Sequence, residues 1–193
     1  MFRGFVLRAT YTYKVLISSL VLKQQILNHQ SLPAMQYGLN GHKESQHHKY
    51  MRQALILAKT AYDDNEVPVG ALIVKDNQIV GKGYNQTEML NDPTAHAEMI
   101  AISSACSTLD SKYLTDCTLY VTLEPCPMCA GALVWSKIKR IVFGAMDPNA
   151  GSCGTLFNIA ANKKLNSSAE VIHGIMETEC SELLKKFFKE RRL

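Results

Sequence analysis

The chain has 193 residues, 47% of them hydrophobic, which allows one substantial buried core but hardly two, so we expect a single folded domain. Its formal net charge of +4 is compatible with an anionic partner without requiring one. Six cysteines in a chain of this length are too sparse for a disulfide-framed secreted domain, so we expect a reducing compartment, the cytoplasm.

The N-terminal segment differs from the rest in composition, because its first 43 residues contain five Lys and Arg but no Asp or Glu. Its apolar run, VLISSLVL at 15–22, is too short to span a bilayer and no small-residue cleavage site follows it, so we predict neither a membrane segment nor a secretory signal. An acid-poor, Arg-bearing start is typical of organelle-targeting segments, and it would also arise from an upstream start codon. We predict that residues 1–45 are a disordered or dispensable extension and that 46–193 form the domain.

The hydrophobic pattern becomes regular from Gln46. Apolar residues at Met51, Leu55, Ala58 and Tyr62 have the spacing of one helical stripe, which predicts a helix. The stretch VGALIVKDNQIVGKGYN then holds two β-rich runs on either side of KDNQ, whose Asp-Asn pair favours a turn. We predict a β-hairpin there.

Helices and strands are predicted to alternate after the hairpin. A helix starts near Pro93–Thr94, CTLYVTLE is a strand, CPMCAGALVWSKI is a helix after Pro125, and RIVFGA is a fourth strand. A short strand candidate, EVIHG, and a final helix complete the order. Helices between strands imply crossover connections, so we predict an α/β fold with helices on both faces of a central sheet.

Two short clusters carry residues that bind metals, NDPTAHAEMIAI at 91–102 and LEPCPMC at 123–129. Two thiolates and one imidazole make a zinc site with one position left for water. Cys126 and Cys129 share one face at a helix start, where the helix dipole favours thiolates. His96 is expected in the first turn of the preceding helix, so that both N-termini aim at one metal.

An open, catalytic zinc is the simpler interpretation, because the sequence offers no obvious fourth soft ligand near either cluster. Zinc lowers the pKa of bound water to roughly 7, and Glu98 is placed to carry protons between that water and a substrate. Taken singly, a Pro-Cys-x-x-Cys also occurs in redox pairs and zinc ribbons, and a His-x-Glu is often a solvated helix cap. The joint pattern is what predicts a catalytic centre.

At these residues the sequence resembles the cytidine deaminase-like zinc hydrolases, whose signature is H-x-E followed by P-C-x-x-C. Within that superfamily it resembles the tRNA-specific adenosine deaminases, through EVPVGA, DPTAHAE, LYVTLEPCPMCAGA, VFGA and LLKKFFKERR. The resemblance implies a three-layer α/β/α fold with a central mixed five-stranded sheet. It also implies that His96, Cys126 and Cys129 hold one zinc ion per subunit while Glu98 shuttles protons.

The activity that the resemblance implies is hydrolytic deamination of adenosine to inosine at the wobble position of a tRNA anticodon stem-loop, by a homodimer. A free-base or nucleotide deaminase acting on guanine or cytosine is the alternative, because the same four residues serve those reactions. A non-catalytic subunit with a structural zinc is a third hypothesis, and the presence of Glu98 counts against it.

Five residues are expected to contact the RNA, two of them from this resemblance and three from the basic and aromatic content of the last helix. Asn85 would hydrogen-bond the extruded nucleoside, or else simply end a turn. Asp147 would lie beside the anticodon nucleotides, or else form an Asp-Pro turn. In the last helix, Phe188 would stack on a base while Arg191 and Arg192, in a basic cluster, would contact phosphates, although the same charges also complement the helix dipole.

One residue is ambiguous between core and surface. Trp135 lies in the segment AGALVWSKI, which carries the apolar residues most suited to a dimer interface. Tryptophan is more often buried than exposed, so we expect Trp135 in the core rather than in an interface.

Overall fold

The computed structural model describes residues 45–165 and 168–191. The predicted extension therefore lies almost wholly outside the described residues, as does Arg192. In this part of the chain no helix is long and apolar enough to cross a membrane. The helices are α1 (Gln46–Asp63), α2 (Thr87–Leu90), α3 (Ala97–Leu109), α4 (Pro127–Trp135) and α5 (Glu177–Arg191). The strands are β1 (Gly70–Lys75), β2 (Gln78–Tyr84), β3 (Thr118–Leu123), β4 (Arg140–Ala145) and β5 (Glu170–Ile172).

The five strands form one sheet in the order β2-β1-β3-β4-β5. Strand β1 is antiparallel to both of its neighbours, β2 and β3, whereas β3, β4 and β5 are mutually parallel. The parallel connections need crossovers, and α4 supplies the one between β3 and β4. The predicted mixed five-stranded sheet is confirmed.

The two faces of the sheet are covered by different helices. Neighbouring residues of β1 contribute to opposite faces. Ile73 belongs to the buried cluster that includes α3 and α4, and Leu72 belongs to the cluster that includes α1. This is the alternation expected of a strand buried on both faces. The three-layer α/β/α architecture is therefore confirmed.

The predicted hairpin joins β1 to β2. Asp76 and Asn77 have φ of 48° and 63°, the left-handed conformation that both central residues of a type I′ turn require. Asn and Asp tolerate this conformation better than other non-glycine residues. The β-hairpin with its turn at Asp76 and Asn77, predicted from KDNQ, is thus confirmed.

Helix α3 begins at Ala97, so the prediction of a start near Pro93–Thr94 is wrong by about a turn. The side chain of Asp92 accepts from the backbone N–H of Thr94 at 2.8 Å and from its hydroxyl at 2.7 Å, which makes a turn in place of a first helical turn. His96 is consequently the N-cap, with extended φ and ψ of −71° and 152°, rather than a residue of the first turn.

Helix α3 lies unusually close to strand β2 because two glycines face it. A Cβ on Gly83 would meet the carbonyl oxygen of Ala97 at 2.3 Å, and one on Gly81 would meet that of Ala101 at 2.5 Å. Any larger residue would push the helix off the sheet. The small residues on both sides thus set the depth at which the N-terminus of α3 reaches the sheet edge.

Trp135 is 74% exposed, so the expectation that it lies in the core is wrong. It is the last residue of α4, and the inward face of that helix is already filled by Ala130 and Leu133, both essentially buried. A helix this short presents only one stripe to the sheet, and Trp135 falls outside it.

Candidate active site

Three strands deliver polar residues to the same edge of the sheet. Strand β2 runs in the same direction as β3 and β4, because both β2 and β3 are antiparallel to β1. Asn85, Glu124 and Asp147 directly or closely follow the ends of β2, β3 and β4. In open α/β sheets the crevice outside the carboxyl ends of the strands is the usual place for a ligand.

The three predicted metal ligands meet at this edge. The Nδ1 atom of His96 lies 3.6 Å from the sulfur of Cys126 and 3.6 Å from that of Cys129. A tetrahedral zinc ion with ordinary Zn–N and Zn–S bonds holds its nitrogen and sulfur ligands about 3.6 Å apart. The spacing of the side chains therefore fits zinc without rearrangement.

No fourth side chain joins this cluster. Among the described His, Cys, Asp and Glu residues, His96, Cys126 and Cys129 form the one group whose ligand atoms all lie within 4.8 Å of one another. Structural zinc sites have four protein ligands, whereas catalytic sites have three and an open position. The donor set is that of a catalytic zinc centre.

The three groups of the cluster shift one another's pKa values. Interaction with the Cys129 thiol lowers the pKa of Cys126 to about 4, and the same contact raises the pKa of Cys129. The adjacent sulfur of Cys126 also raises the pKa of His96. Negative charge thus gathers on Cys126, at the N-cap of α4 where the helix dipole stabilises it.

Glu98 is the second residue of α3 and is 4% exposed. Burial raises the pKa of its carboxyl group to about 7. A carboxylic acid with a pKa near neutrality can both accept and donate a proton, which is the property required of a general acid–base catalyst.

Glu98 and the predicted ligands His96 and Cys126 line one cavity of about 220 Å³, together with Asn85 and Asp147. This volume is below the roughly 300–1,000 Å³ typical of pockets for drug-sized ligands. The cavity therefore suits a small ligand, about the size of a single ring system, beside His96 and Cys126.

Asn85, predicted from the resemblance to contact the substrate, is 6% exposed. Its side-chain nitrogen lies 3.1 Å from a carboxylate oxygen of Glu66 and 3.0 Å from the hydroxyl of Thr87. Sequence analysis did not identify Glu66, although a glutamate among EVPVGA, a run otherwise of apolar and small residues, is the signal that could have done so.

A larger groove of about 650 Å³ adjoins the small cavity and shares Val67, Leu123 and Asp147 with it. Its far wall is α5, which contributes Lys185, Phe188 and Lys189, among other residues. Phe188 is 44% exposed, as its proposed stacking role requires. Apolar surface and positive charge therefore lie next to the catalytic cavity.

Two further predicted contacts have local partners. The guanidinium of Arg191 lies 4.3 Å from the ring centroid of Phe187 and donates to the carbonyl of Asn65, and Arg191 is not among the residues that line the groove. Asp147 lines both cavities, and its Oδ1 also accepts from the backbone N–H of Asn149 at 2.8 Å. The Asp-Pro turn considered from the sequence is thus present in the loop.

Comparison with known proteins agrees with this chemistry. Residues 44–145 match the family described as the cytidine and deoxycytidylate deaminase zinc-binding region. A tRNA-specific adenosine deaminase of Bacillus subtilis is 46% identical over 143 residues, which are 74% of this chain and 89% of that protein. This chain belongs to the tRNA-specific adenosine deaminase family.

Solved structures place the same fold in two branches of the zinc deaminases. One, from studies of A-to-I editing by tRNA:A34 deaminases, is 38% identical with a TM-score of 0.68, and the match covers 70% of this chain and 99% of that one. A guanine deaminase of Bacillus subtilis is 40% identical with a TM-score of 0.52, covering 57% of this chain and 71% of that one. The match to the tRNA deaminase extends further along both chains.

In this member of the family, a third buried glutamate, besides Glu98 and Glu66, holds the loop beside the cavity. Glu124, 2% exposed, accepts from the backbone N–H of Asp147 at 3.2 Å, of Cys153 at 2.9 Å and of Thr155 at 3.1 Å. Burial opposes its ionisation, but these bonds and one from the Thr155 hydroxyl outweigh burial and lower the pKa of Glu124. Sequence analysis missed this role because the partners lie 23 to 31 residues away.

Proposed function

We propose that this protein catalyses the zinc-dependent hydrolytic deamination of adenosine to inosine at the wobble position of a tRNA anticodon. The observation that carries the proposal is the open triangle of His96, Cys126 and Cys129 beside the buried carboxyl group of Glu98. Its membership of the tRNA-specific adenosine deaminase family supports the choice of substrate.

In the proposed reaction His96, Cys126 and Cys129 would hold zinc, which would supply a water nucleophile that ionises at about pH 7. Glu98 accepts the proton that this water gives up and delivers it to the purine ring. The water oxygen bonds to C6 of adenine, and its second proton passes through Glu98 to the amino group. The bond between C6 and that nitrogen then breaks, so that adenosine and water become inosine and ammonia. Glu98 lines the same cavity as His96 and Cys126, which places its carboxyl group for both transfers.

The groove is the proposed binding surface for the nucleotides that flank the target base, within an anticodon stem-loop. Phe188 would stack on a base, and Asp147 would lie beside the base in the cavity. Lys185 and Lys189 line the groove and would neutralise phosphates. Arg191 packs on the ring of Phe187 instead, so we propose that it stabilises α5 rather than contacting a phosphate. Arg192 stays a predicted phosphate contact.

We further propose a cytoplasmic homodimer, with the exposed Trp135 in the interface. Trp135 lines a small surface cavity with Val134 and Leu165, which gives an apolar patch of the kind that subunit contacts cover. Sedimentation equilibrium of the full chain should give twice the mass of one chain. A monomer mass at micromolar concentration would contradict the dimer.

A substrate panel tests the proposed activity. We expect inosine in an anticodon stem-loop with a wobble adenosine, and no ammonia from free guanine, cytosine or adenosine. The guanine deaminase structure with 40% identity makes guanine the necessary competitor. Ammonia from guanine or cytosine, with none from the stem-loop, would establish the free-base alternative and refute tRNA editing.

A further inference from the structure

The side-chain amide of Asn85 is oriented by two neighbours. Its Nδ2 atom lies 3.1 Å from Oε2 of Glu66 and 3.0 Å from Oγ1 of Thr87. Glu66 is 1% exposed, and its two carboxyl oxygens accept hydrogen bonds from Asn85, from Thr87 and from the backbone N–H of Met89. The NH₂ group of Asn85, and not its carbonyl oxygen, must therefore face Glu66.

The remaining bonds of the cluster fix where each hydrogen goes. The hydroxyl of Thr87 donates to Oε2 of Glu66 at 3.2 Å, so its oxygen is left to accept the second amide hydrogen of Asn85. The other carboxylate oxygen, Oε1, accepts the backbone N–H of Met89 at 2.7 Å. Both amide hydrogens of Asn85 are thus used within the protein.

The side-chain carbonyl oxygen of Asn85, Oδ1, has no hydrogen-bond partner within the described residues. The hydrogen bonds of Asn85 in the described structure are made by its backbone N–H and by Nδ2, with none to Oδ1. No fully buried side-chain oxygen or nitrogen in the described part of the chain lacks a partner. Oδ1 is therefore reachable from outside, and the cavity that Asn85 lines is the one with the metal ligands.

We propose that Glu66, with Thr87, fixes Asn85 as a hydrogen-bond acceptor toward the substrate, which makes Glu66 a positioning residue of the active site. The ligand assignment rests on the proposed function. Adenosine offers Asn85 two kinds of donor, the 6-amino group and a ribose hydroxyl. If the partner is the 6-amino group, the same acceptor disfavours the 6-oxo group of guanine and of the inosine product, because two acceptors would face each other.

The sharpest test reverses the polarity of the pair. In Glu66→Gln the new NH₂ group must face either the N–H of Met89 or the NH₂ of Asn85, so Asn85 loses its fixed orientation. In Asn85→Asp two carboxylates face each other. The double variant Glu66→Gln/Asn85→Asp again pairs a donor with an acceptor, and it still presents an acceptor oxygen to the cavity.

We expect each single variant to lower kcat/KM for the wobble adenosine about 10- to 100-fold, and the double variant to recover most of that loss. Glu88→Gln is the matched control, because it removes the same charge from an exposed side chain one residue after Thr87. It should behave as wild type. Single and double variants that lose activity additively would overturn the proposal.

An NMR experiment reads the orientation without any substrate. The side-chain amide signal of Asn85, recognised by its loss in Asn85→Asp, should exchange with solvent at least about 10-fold more slowly than that of the exposed Asn91. Thr87→Val keeps the bond to Glu66 and should raise the rate only in part, whereas Glu66→Gln should raise it most. Fast exchange in the wild-type protein would refute the proposed orientation, whatever the enzyme deaminates.

Substrate chemistry then identifies the donor. The test substrate is a stem-loop with 2′-deoxyadenosine at the target position. If the ribose 2′-hydroxyl is the partner, Asn85→Ala and wild type should have the same kcat/KM on this substrate. An equal loss on the ribose and deoxyribose substrates assigns the 6-amino group. No loss with either substrate would show that Asn85 does not contact the substrate, which overturns the proposal. A wild-type protein inactive on every stem-loop, with slow amide exchange, would refute the proposed function alone.

Discussion

The small cavity and the groove beside it share a wall and differ in how they are built. The cavity is lined by buried side chains that hold one another by hydrogen bonds, as Asn85 and Glu66 do. The groove is walled by exposed side chains of α5, such as Phe188, that make few fixed polar contacts. A preorganised polar cavity determines chemistry, whereas an exposed basic and aromatic wall determines affinity. Substitutions in the two regions should therefore change different kinetic constants.

The largest effect is expected within the cavity, at Glu98. Glu98→Gln keeps the shape of the side chain but cannot accept the proton of the attacking water. We expect turnover of saturating substrate to fall by about 10²- to 10⁴-fold. Single-turnover inosine formation measures the fall, and the zinc content of the same sample should equal that of wild type.

Glu182→Gln is a suitable control for this variant, because it makes the same change on helix α5, which is not part of the cavity. It should leave turnover as in wild type. Unchanged turnover in Glu98→Gln would show that another group moves the proton, and the assigned role of Glu98 would be wrong.

Substitutions in the groove should change the affinity for the stem-loop. Phe188→Ala removes the exposed ring that is proposed to stack on a base, which should cost about 1–3 kcal/mol of binding free energy. Turnover at saturating stem-loop should change little. Fluorescence anisotropy with a labelled stem-loop measures the affinity, and a loss confined to turnover would place Phe188 in the catalytic cavity instead.

The lysines of the groove should have a smaller effect that depends on salt. Lys185→Ala and Lys189→Ala should each lower the slope of log affinity against log salt by about 1 and weaken binding several-fold at physiological salt. Lys163, exposed and outside the groove, is the control position. An unchanged slope in either groove variant would remove that lysine from the phosphate contacts.

The smallest effect is expected for Arg191. Its guanidinium packs on Phe187, so Arg191→Ala should cost about 0.5–1 kcal/mol of unfolding free energy with the salt slope unchanged. Urea denaturation and the same binding assay measure the two quantities. A slope reduced by about 1 with unchanged stability would make Arg191 a phosphate contact, as first predicted from the sequence.

The same two regions show what could be predicted from the sequence. Periodicity and turn residues predicted the order of the main helices and strands, including the hairpin at Asp76-Asn77. The meeting of His96 with the two cysteines was predictable, because all three lie at or near the start of a helix, and the fold brings these helix starts together. That they bind a metal stays a prediction.

Features that depend on particular side-chain contacts were not predictable from periodicity. The start of α3 depends on the bonds of Asp92 to Thr94, which override helix propensity. The exposure of Trp135 depends on which stripe of α4 meets the sheet, and the partners of Glu66 and Glu124 are fixed only by the fold. Single-sequence patterns carry little information on such pairings.

The most direct test of the account is a zinc titration of the metal-free protein with a wobble-adenosine stem-loop as substrate. We predict that inosine formation is absent without metal, rises in proportion to added zinc and saturates at one ion per chain. The same titration of Cys129→Ala should give no activity at stoichiometric zinc. Full activity in the metal-free protein, or saturation with zinc bound and no inosine formed, would contradict the account.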